Sequence, residues 1–450
     1  MDANTSVPLL KARIAPESSH RIVIVGGGVA GVEIASALGR RYGGKRPRKP
    51  GVHVLLLDKD WAHIWKPMLH TIAAGTSDIS QQQTPYVAQA REAGFQYLPA
   101  ELVGLDRTAR EVMVADLLSA DGDVILPARR IGYDTLILAI GSEANDFGTP
   151  GVEEHCMEID SRKQAEAFNQ VARNAMIRAL GFDGRVSIGI VGGGATGVEL
   201  AAQLVQMTHL AAGYGAEDLP ERVSVTLIES GPRLLAAFPE DISAATLDRL
   251  RSLGIDVLLD SRVASVDEQG FVLADGTRVQ SQLRVWAAGV KGPPVLARLG
   301  GLRATRSNLL EVLPTLQTCD DPAIFVVGDC ASVVLPGSER PLPPTAQVAH
   351  QQARHIIDHL PALLEKGTPM PAFAHKDLGA LVSLGEYDAY GSLGKFGLFT
   401  GTTIRGRIAQ YSHAWLYRAH QARLHGFWRG SLLWLVDQLN SKVKAPIRLD

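Results

Sequence analysis

The chain lacks several things, and each shortage removes a class of function. Its 450 residues include only three cysteines, Cys156, Cys319 and Cys330. Odd in number and widely spaced, they exclude a disulfide framework and a cysteine metal site, and they suit a reducing compartment. No run approaches the ~18 apolar residues that a membrane span requires, so any membrane role must be peripheral. The formal net charge is only −2, which argues against nucleic acid as a main partner. The opening stretch, MDANTSVPLLKARIAPESSH, has neither the basic head nor the apolar core of a signal peptide. The expectation is a protein that stays in the cytosol.

What the chain does have is concentrated first in residues 21–58. Residues 21–25 form a short β-branched run that reads as a buried parallel strand, and Gly26, Gly28 and Gly31 follow it at GxGxxG spacing before a helical pattern. Gly26 allows the tight turn, Gly28 admits a pyrophosphate to the backbone N–H groups, and Gly31 lets the helix pack close to the strand. The helix N-terminus supplies a positive end for phosphates. A second strand, 52–57, ends in Asp58, an acid placed for a ribose hydroxyl. The gap from Gly31 exceeds the usual ~20 residues, and the basic, proline-containing stretch 40–50 accounts for it as a loop insertion.

The same pattern recurs. Residues 186–191 lead into Gly192, Gly194 and Gly197 within GGGATGVEL, and 223–228 end in Glu229. Two complete units imply two nucleotides. A chain of this length accommodates about three domains. The order of motifs gives an α/β fold with two Rossmann-like dinucleotide-binding domains, the second inserted in the first, plus a C-terminal α+β region. The divisions are a tail at 1–20, a first domain at 21–150 and 309–371, a second at 151–308, and a C-terminal region at 372–450.

Between these landmarks, DKDWAHIWKPMLHTIAAGTSD stands where an ordinary unit continues with a plain helix. It reads either as a packed loop with aromatic plugs or as a segment lining a flavin, with Lys59 near the adenosine and Trp65, Lys66 and Pro67 near the ring. Residues 95–106 and 111–116 alternate as strands, with Leu102 where the backbone meets an adenine. YDTLILAIG (133–141) and LRVWAAG (283–289) are matching return strands ending in glycine. RLLAAFPEDI (233–242) begins the next helix of the second unit, and TAQVAHQQAR (345–354) starts another after three prolines. Short strands are expected at 380–384 and 404–409, followed by a helical tail.

The ordered set GGGVAGVE, HIWKPMLHTIAAGT, GGGATGVELA, PRLLAAFPEDIS, PTLQT, FVVGDCA, AQVAHQQA and HGFWRGSLLW resembles that of the two-dinucleotide-domain flavoproteins, and among them the type II NADH:quinone oxidoreductases. The resemblance spans residues 20–443. It implies a peripheral enzyme on the cytoplasmic face of the cell membrane. Hydride passes from NADH to N5 of noncovalent FAD, and two electrons then pass to a membrane quinone. The implied FAD site comprises Gly26, Gly28, Val29, Ala30, Gly31, Asp58, Lys59, Lys66, Leu102, Ala139, Gly141, Gly328, Asp329, Ala346 and Gln347. Asp329 serves the ribityl or pyrophosphate region, with Ala346 and Gln347 beside the isoalloxazine. NADH is implied at Gly192, Gly194, Ala195, Thr196, Gly197, Glu199, Glu229, Ala288 and Gly289. Glu199 stands beside nicotinamide and flavin, and Gln347, Gln351 and Gln352 form the quinone site. Each group has a plain alternative: Glu199 as a helix-surface charge, and the glutamines as a polar helix face.

The family usually carries FxYxxKG before its C-terminal sheet. Here Phe373, His375, Leu378 and Gly379 stand at those places, so Leu378 replaces the lysine, with His375 or Lys376 left to compensate. Hydride transfer needs no protein nucleophile, which agrees with the lack of a Ser-His-Asp or Cys-His constellation. Two rival readings remain. A sulfide:quinone oxidoreductase shares the scaffold but needs a redox cysteine pair. A signalling flavoprotein resembling apoptosis-inducing factor would hold its reduced flavin for a partner. In the tail, Leu432, Leu435, Val436, Leu439 and Val443 share one helical face, with Trp415, Phe427, Trp428 and Trp434 nearby. Six cations (Arg418, Arg423, Arg429, Lys442, Lys444, Arg448) suit an anionic membrane surface. The alternative is a helix packed on the protein or on a homodimer mate.

Overall fold

The computed structural model describes residues 19–44, 49–76, 83–182, 184–213, 215–384, 389–393, 403–405, 418 and 420–443. The tail at 1–18, the centre of the basic loop at 45–48, residues 406–409 of the last expected strand, and Trp415, Lys444 and Arg448 lie outside the described residues. The chain falls into two compact units. One gathers Met1–Ile64, Gln83–Glu143 and Lys291–His375, and the other Trp65–Gln82, Ala144–Val290 and Lys376–Asp450.

The first unit is organised on a parallel five-stranded sheet. Its order is Ile324–Val326, Thr135–Leu138, His20–Val25, Val52–Asp58 and Gln96–Pro99. His20–Val25 sits in the middle because both of its faces are covered, and Ile22 to Val25 are at most 3% exposed. The helix Val29–Tyr42 follows directly, and the helix Ala346–Lys366 packs against it. Thr345 caps the latter, its hydroxyl accepting from the Val348 N–H at 3.2 Å. A three-stranded antiparallel sheet of Leu102–Asp106, Glu111–Val114 and Arg129–Gly132 completes this unit.

The second unit repeats the plan. Its parallel sheet runs Asp256–Leu258, Val223–Ile228, Val186–Val191 and Leu283–Trp286. The helix Ala195–Ala212 again follows the central strand, and Val263–Asp267, Gly270–Leu273 and Arg278–Gln280 form the matching antiparallel sheet. Two further pieces belong here. The helix Leu69–Ala73 packs on Arg162–Gly181 and on Ala195–Ala212. The strands Gly379–Ser383, Ala389–Leu393 and Thr403–Arg405 form an antiparallel sheet, and Phe427–Val443 is helical.

These units part from the expected boundaries at three places. Residues 291–308 pack with the first unit, where the Gly292 N–H reaches Ser307 O and Gly300 lies against Leu105. Trp65–Gln82 joins the second unit through Asn169 Nδ2 donating to Ala73 O (3.1 Å) and Thr76 Oγ1 donating to Gln203 Oε1 (2.7 Å). The C-terminal strands also join the second unit. The helix expected from residue 233 begins only at Glu240. Leu235, with φ 51°, turns the chain, and the Arg233 guanidinium holds the loop by donating to Phe238 O, Ala236 O and Ser243 Oγ.

Candidate functional site: two dinucleotide loops and their glutamates

In the first loop, Gly26 adopts φ +100° and its N–H bonds to Leu57 O at 2.7 Å. A Cβ at Gly26 would strike the Ala139 carbonyl, and one at Gly31 would strike Gly26 O, whereas a Cβ at Gly28 would meet nothing within 4 Å. The close contacts are therefore structural, and the open space lies in front of Gly28, where the motif leaves room for a pyrophosphate. Gly28 begins the helix without a side-chain cap, and no acid occupies the first turn, so the N–H groups and positive end are left for an anion. Val29 and Ala30 form that turn, and Gly141, at φ +74°, also borders open space.

Asp58 does more than wait for a ribose. Its carboxylate accepts from the Gly27 N–H and, through Oδ1, from the Asp60 N–H at 2.7 Å, so it clamps the glycine loop to its own strand. Burial raises the Asp58 pKa to about 6, with those two N–H bonds opposing the shift. The Gly27 carbonyl accepts from Tyr86 Oη (2.8 Å) and is bound by His63 Nδ1 (2.9 Å). Neither residue was singled out from sequence, because both are distant from the motif along the chain. Lys59 is exposed beside Asp58, and Leu102 is buried at the start of its strand. Lys66 lies in the other unit, its Nζ 3.8 Å from Asp160.

The second loop repeats this geometry. The Gly192 N–H reaches Ile228 O (2.8 Å), and Glu229 accepts from Gly193 N–H (2.6 Å) and from Gly231 N–H (2.7 Å). Gly194 caps its helix with open space before it, and no acid occupies the first turn. Ala195 and Thr196 follow, and Gly197 packs on Gly192. Gly289, at φ +118°, accepts from the Asn145 N–H at 3.0 Å beside Ala288. Both loops thus pass the same test for a dinucleotide.

The two helices also carry a glutamate at the same place, seven residues after the first glycine: Glu33 and Glu199. Both are buried and both face a histidine. Glu33 Oε2 is 2.6 Å from His350 Nδ1 on the helix Ala346–Lys366. Glu199 Oε2 is 3.4 Å from His70 Nδ1, and its Oε1 accepts from the Ser383 N–H at 3.0 Å. Burial lifts the Glu199 pKa to about 8. Its expected alternative, a helix-surface charge, is excluded, since Glu199 is 6% exposed.

The helix Ala346–Lys366 divides its glutamines. Gln347 and Gln351 are half-buried and one turn apart, hence on one side. Gln352 is 1% exposed and turns inward, where its Oε1 accepts from the Gly328 N–H at 2.6 Å. It holds the turn carrying Asp329, whose carboxylate also accepts from Ser142 Oγ at 3.1 Å. Ala346 is the first residue of that helix. Leu378 is 60% exposed.

The cysteines do not supply a redox pair. Burial pushes the Cys330 and Cys156 thiols up to about 12, and Cys330 Sγ is directed at the Val327 and Leu138 carbonyls. Among the described residues no cluster fit for a metal occurs.

Duplicated loops, each clamped by its own acid and open before its middle glycine, define a two-dinucleotide oxidoreductase fold. Residues 20–353 match the family model for pyridine nucleotide-disulphide oxidoreductases. A type II NADH:quinone oxidoreductase of Haemophilus influenzae is 38% identical over 447 residues, covering 95% of this chain and 99% of that protein. Among solved structures, the NDH2 of Plasmodium falciparum in complex with NADH superposes with a TM-score of 0.80 at 17% identity, covering 96% of this chain and all of that one. The sulfide:quinone oxidoreductase of Aquifex aeolicus gives 0.69 at 18% identity, covering 96% of each chain. The chain belongs to the type II NADH:quinone oxidoreductases of the pyridine nucleotide-disulphide oxidoreductase family.

Proposed function

We infer that this chain oxidises NADH and reduces a quinone, with FAD on the first loop and NADH on the second. The observation that carries the assignment of two nucleotides is the duplicated clamp of Asp58 and Glu229. FAD, when bound, supplies the two-electron carrier between nicotinamide and quinone. The chain's residues bind and orient. The loop at Gly28 receives the FAD pyrophosphate, with Asp329 and Ser142 at the ribityl side. The loop at Gly194 receives that of NADH. Glu229 accepts from the ribose and repels a 2′-phosphate, while Arg233, spent on its own loop, offers that phosphate no partner. Glu199 holds a proton on its carboxyl at the reacting centre, and Gln347 and Gln351 border the quinone path. The buried, high-pKa thiols weigh against a sulfide oxidoreductase. Anaerobic NADH should bleach the purified yellow protein, and a short-chain quinone should restore the colour at once. Reduced flavin that persists after quinone addition would point to the signalling reading instead.

The membrane reading rests on the tail. In the helix Phe427–Val443 the residues Trp428, Leu432, Leu435, Val436 and Leu439 occupy one side and are 44–84% exposed, while Gly430 packs on Ala422. No described helix is long and apolar enough to cross a membrane. In this reading the helix lies on the cytoplasmic leaflet, with Arg429 on it and Arg423 just before it toward anionic headgroups, each adding about 1 kcal/mol that salt weakens. Leu432→Glu with Leu435→Glu should release the enzyme from anionic vesicles and spare short soluble quinones. If it stays bound, the helix is a packing or dimerisation element and its membrane role falls.

A further inference from the structure

We propose that His70 is a positioning residue of the reaction: through Nδ1 it holds Oε2 of Glu199, fixing the carboxyl in one orientation and sharing its proton. The inference deepens the reading above, since it rests on Glu199 standing at the reacting centre. Nothing in the spacing of the motifs marks His70. It lies in HIWKPMLHTIAAGT, where the tryptophan and lysine draw the eye, and 129 residues separate it from its partner.

Geometry carries the argument. His70 is 4% exposed and its Nδ1 is 3.4 Å from the carboxylate. Two elements other than Glu199's own helix hold that carboxyl: the helix Leu69–Ala73 through His70, and the strand Gly379–Ser383 through the Ser383 N–H. The short helix is itself fastened, by Asn169 Nδ2 to Ala73 O and by Thr76 Oγ1 to Gln203 Oε1 on the next turn beyond Glu199. Such anchoring would be idle if His70 only filled volume, since a leucine fills that space without a polar atom needing a partner.

On the surrounding segments Lys66 pairs with Asp160 at 3.8 Å and Arg162 with Glu166 at 3.3 Å. Neither pair is a cause of the raised proton affinity of Glu199, which comes from burial, opposed by the Ser383 N–H. A neutral imidazole beside a protonated carboxyl is the arrangement burial favours, because no charge is then removed from water.

The reaction has a use for one such proton. A hydride carries two electrons and one proton, whereas a quinone takes up two electrons and two protons to become a quinol. NADH, one proton and quinone therefore give NAD+ and quinol, and the second proton comes from water through a group at the site. A carboxyl held by His70 keeps that proton in one place between turnovers.

The test separates the half-reactions in the FAD-loaded enzyme. His70→Leu keeps the volume and loses the Nδ1 contact with the carboxyl. His70→Asn puts an amide where Nδ1 stands but takes up no proton. His70→Leu should be reduced by NADH as the wild type is, and should be reoxidised by a short soluble quinone about ten-fold more slowly, less than the about 10²-fold or more that loss of the acid itself costs. The loss should fall on kcat with the quinone KM unchanged. His70→Asn should recover most of the rate, with the alkaline limb of its quinone pH profile displaced. Wild-type rates in His70→Leu, or equal losses in both half-reactions that His70→Asn does not recover, would overturn the proposal. If His70→Leu fails to fold, the pH profile of His70→Asn decides alone, and an unshifted limb rejects the idea. Failure of the wild type itself to reduce quinone would instead reject the functional reading.

Discussion

The two nucleotide units repeat one another down to a buried glutamate opposite a histidine, yet the repeats part at that pair. In the first unit Glu33 and His350 lie 2.6 Å apart and join the motif helix to the helix of the glutamines. In the second unit the Glu199 and His70 atoms lie 3.4 Å apart, and a backbone N–H from a third element shares the carboxyl. A short bond between two long helices is a fastener. The looser contact lies within a ring of separately anchored groups that hold the carboxyl in one place. The same motif position thus serves packing in one repeat and, in the role proposed for Glu199, chemistry in the other.

The largest effects should come from the loops themselves. Because a Cβ at Gly28 or Gly194 meets open space, a leucine at either should leave the fold intact and block the nucleotide. Gly28→Leu should purify colourless. Gly194→Leu should keep its flavin and lose about 10²-fold or more in its rate of reduction by NADH. Absorbance spectra and stopped-flow reduction check both. The reverse pattern would exchange the nucleotide assignments of the two units. Acid precipitation of the wild type should release FAD into solution, as noncovalent binding requires, and colour in the pellet would refute it.

Next come the glutamates. Glu199→Gln should slow quinone turnover by about 10²-fold with flavin content unchanged. Glu33→Gln should keep most of its turnover per bound flavin and lose about 1 kcal/mol of stability, as the loss of a buried hydrogen bond does. Denaturant midpoints and rates per flavin separate the two. If both variants lose activity alike without loss of stability, the division of roles drawn here is wrong.

Why these partners escaped the sequence is a matter of distance along the chain. The strands and glycine loops were legible because a buried parallel strand is a local apolar run and a phosphate turn is a local glycine pattern. The order of motifs was enough to give the duplicated fold. Pairs such as Glu33 with His350, 317 residues apart, depend on which helix packs on which, and no local period encodes that. The inward turn of Gln352 escaped for the same reason: its neighbour Gln351 has the same chemistry and a different side of the helix. The helix expected from residue 233 failed locally, since RLLAAF has good helix formers, but the Arg233 bonds and the left-handed Leu235 override them. The repeat itself offered one unread signal, the glutamate shared by GVAGVE and GATGVE.

A smaller effect distinguishes the clamping acids. Both brace their loops, but only Glu229 is proposed to select the donor. Glu229→Gln keeps one of the two N–H acceptors of the clamp and removes the charge, so it should narrow the preference for NADH over NADPH by about ten-fold. Asp58→Asn should leave that ratio alone. Steady-state kcat/KM with each donor decides it, and an unchanged ratio in Glu229→Gln would place the selection elsewhere.

The slightest and most diagnostic effect is on stability as a function of pH. Burial raises Asp58 to about 6 and Glu199 to about 8, both above the range of an exposed carboxyl. In each case the folded protein retains a proton that the unfolded chain has already released, so stability falls as pH rises from the unfolded value through the folded one. Asp58 completes its share by about pH 6, and Glu199 alone continues toward pH 8. Between pH 6 and 8 the holoenzyme should lose stability with a slope of up to about 1.4 kcal/mol per pH unit. Glu199→Gln should flatten that window, because an amide carries no proton to lose, while Asp58→Asn should flatten only the part below pH 6. Denaturant unfolding at fixed pH steps measures both slopes. If Glu199→Gln retains the wild-type slope above pH 6, Glu199 is already ionised in the folded protein, and the second repeat's glutamate holds no proton to give.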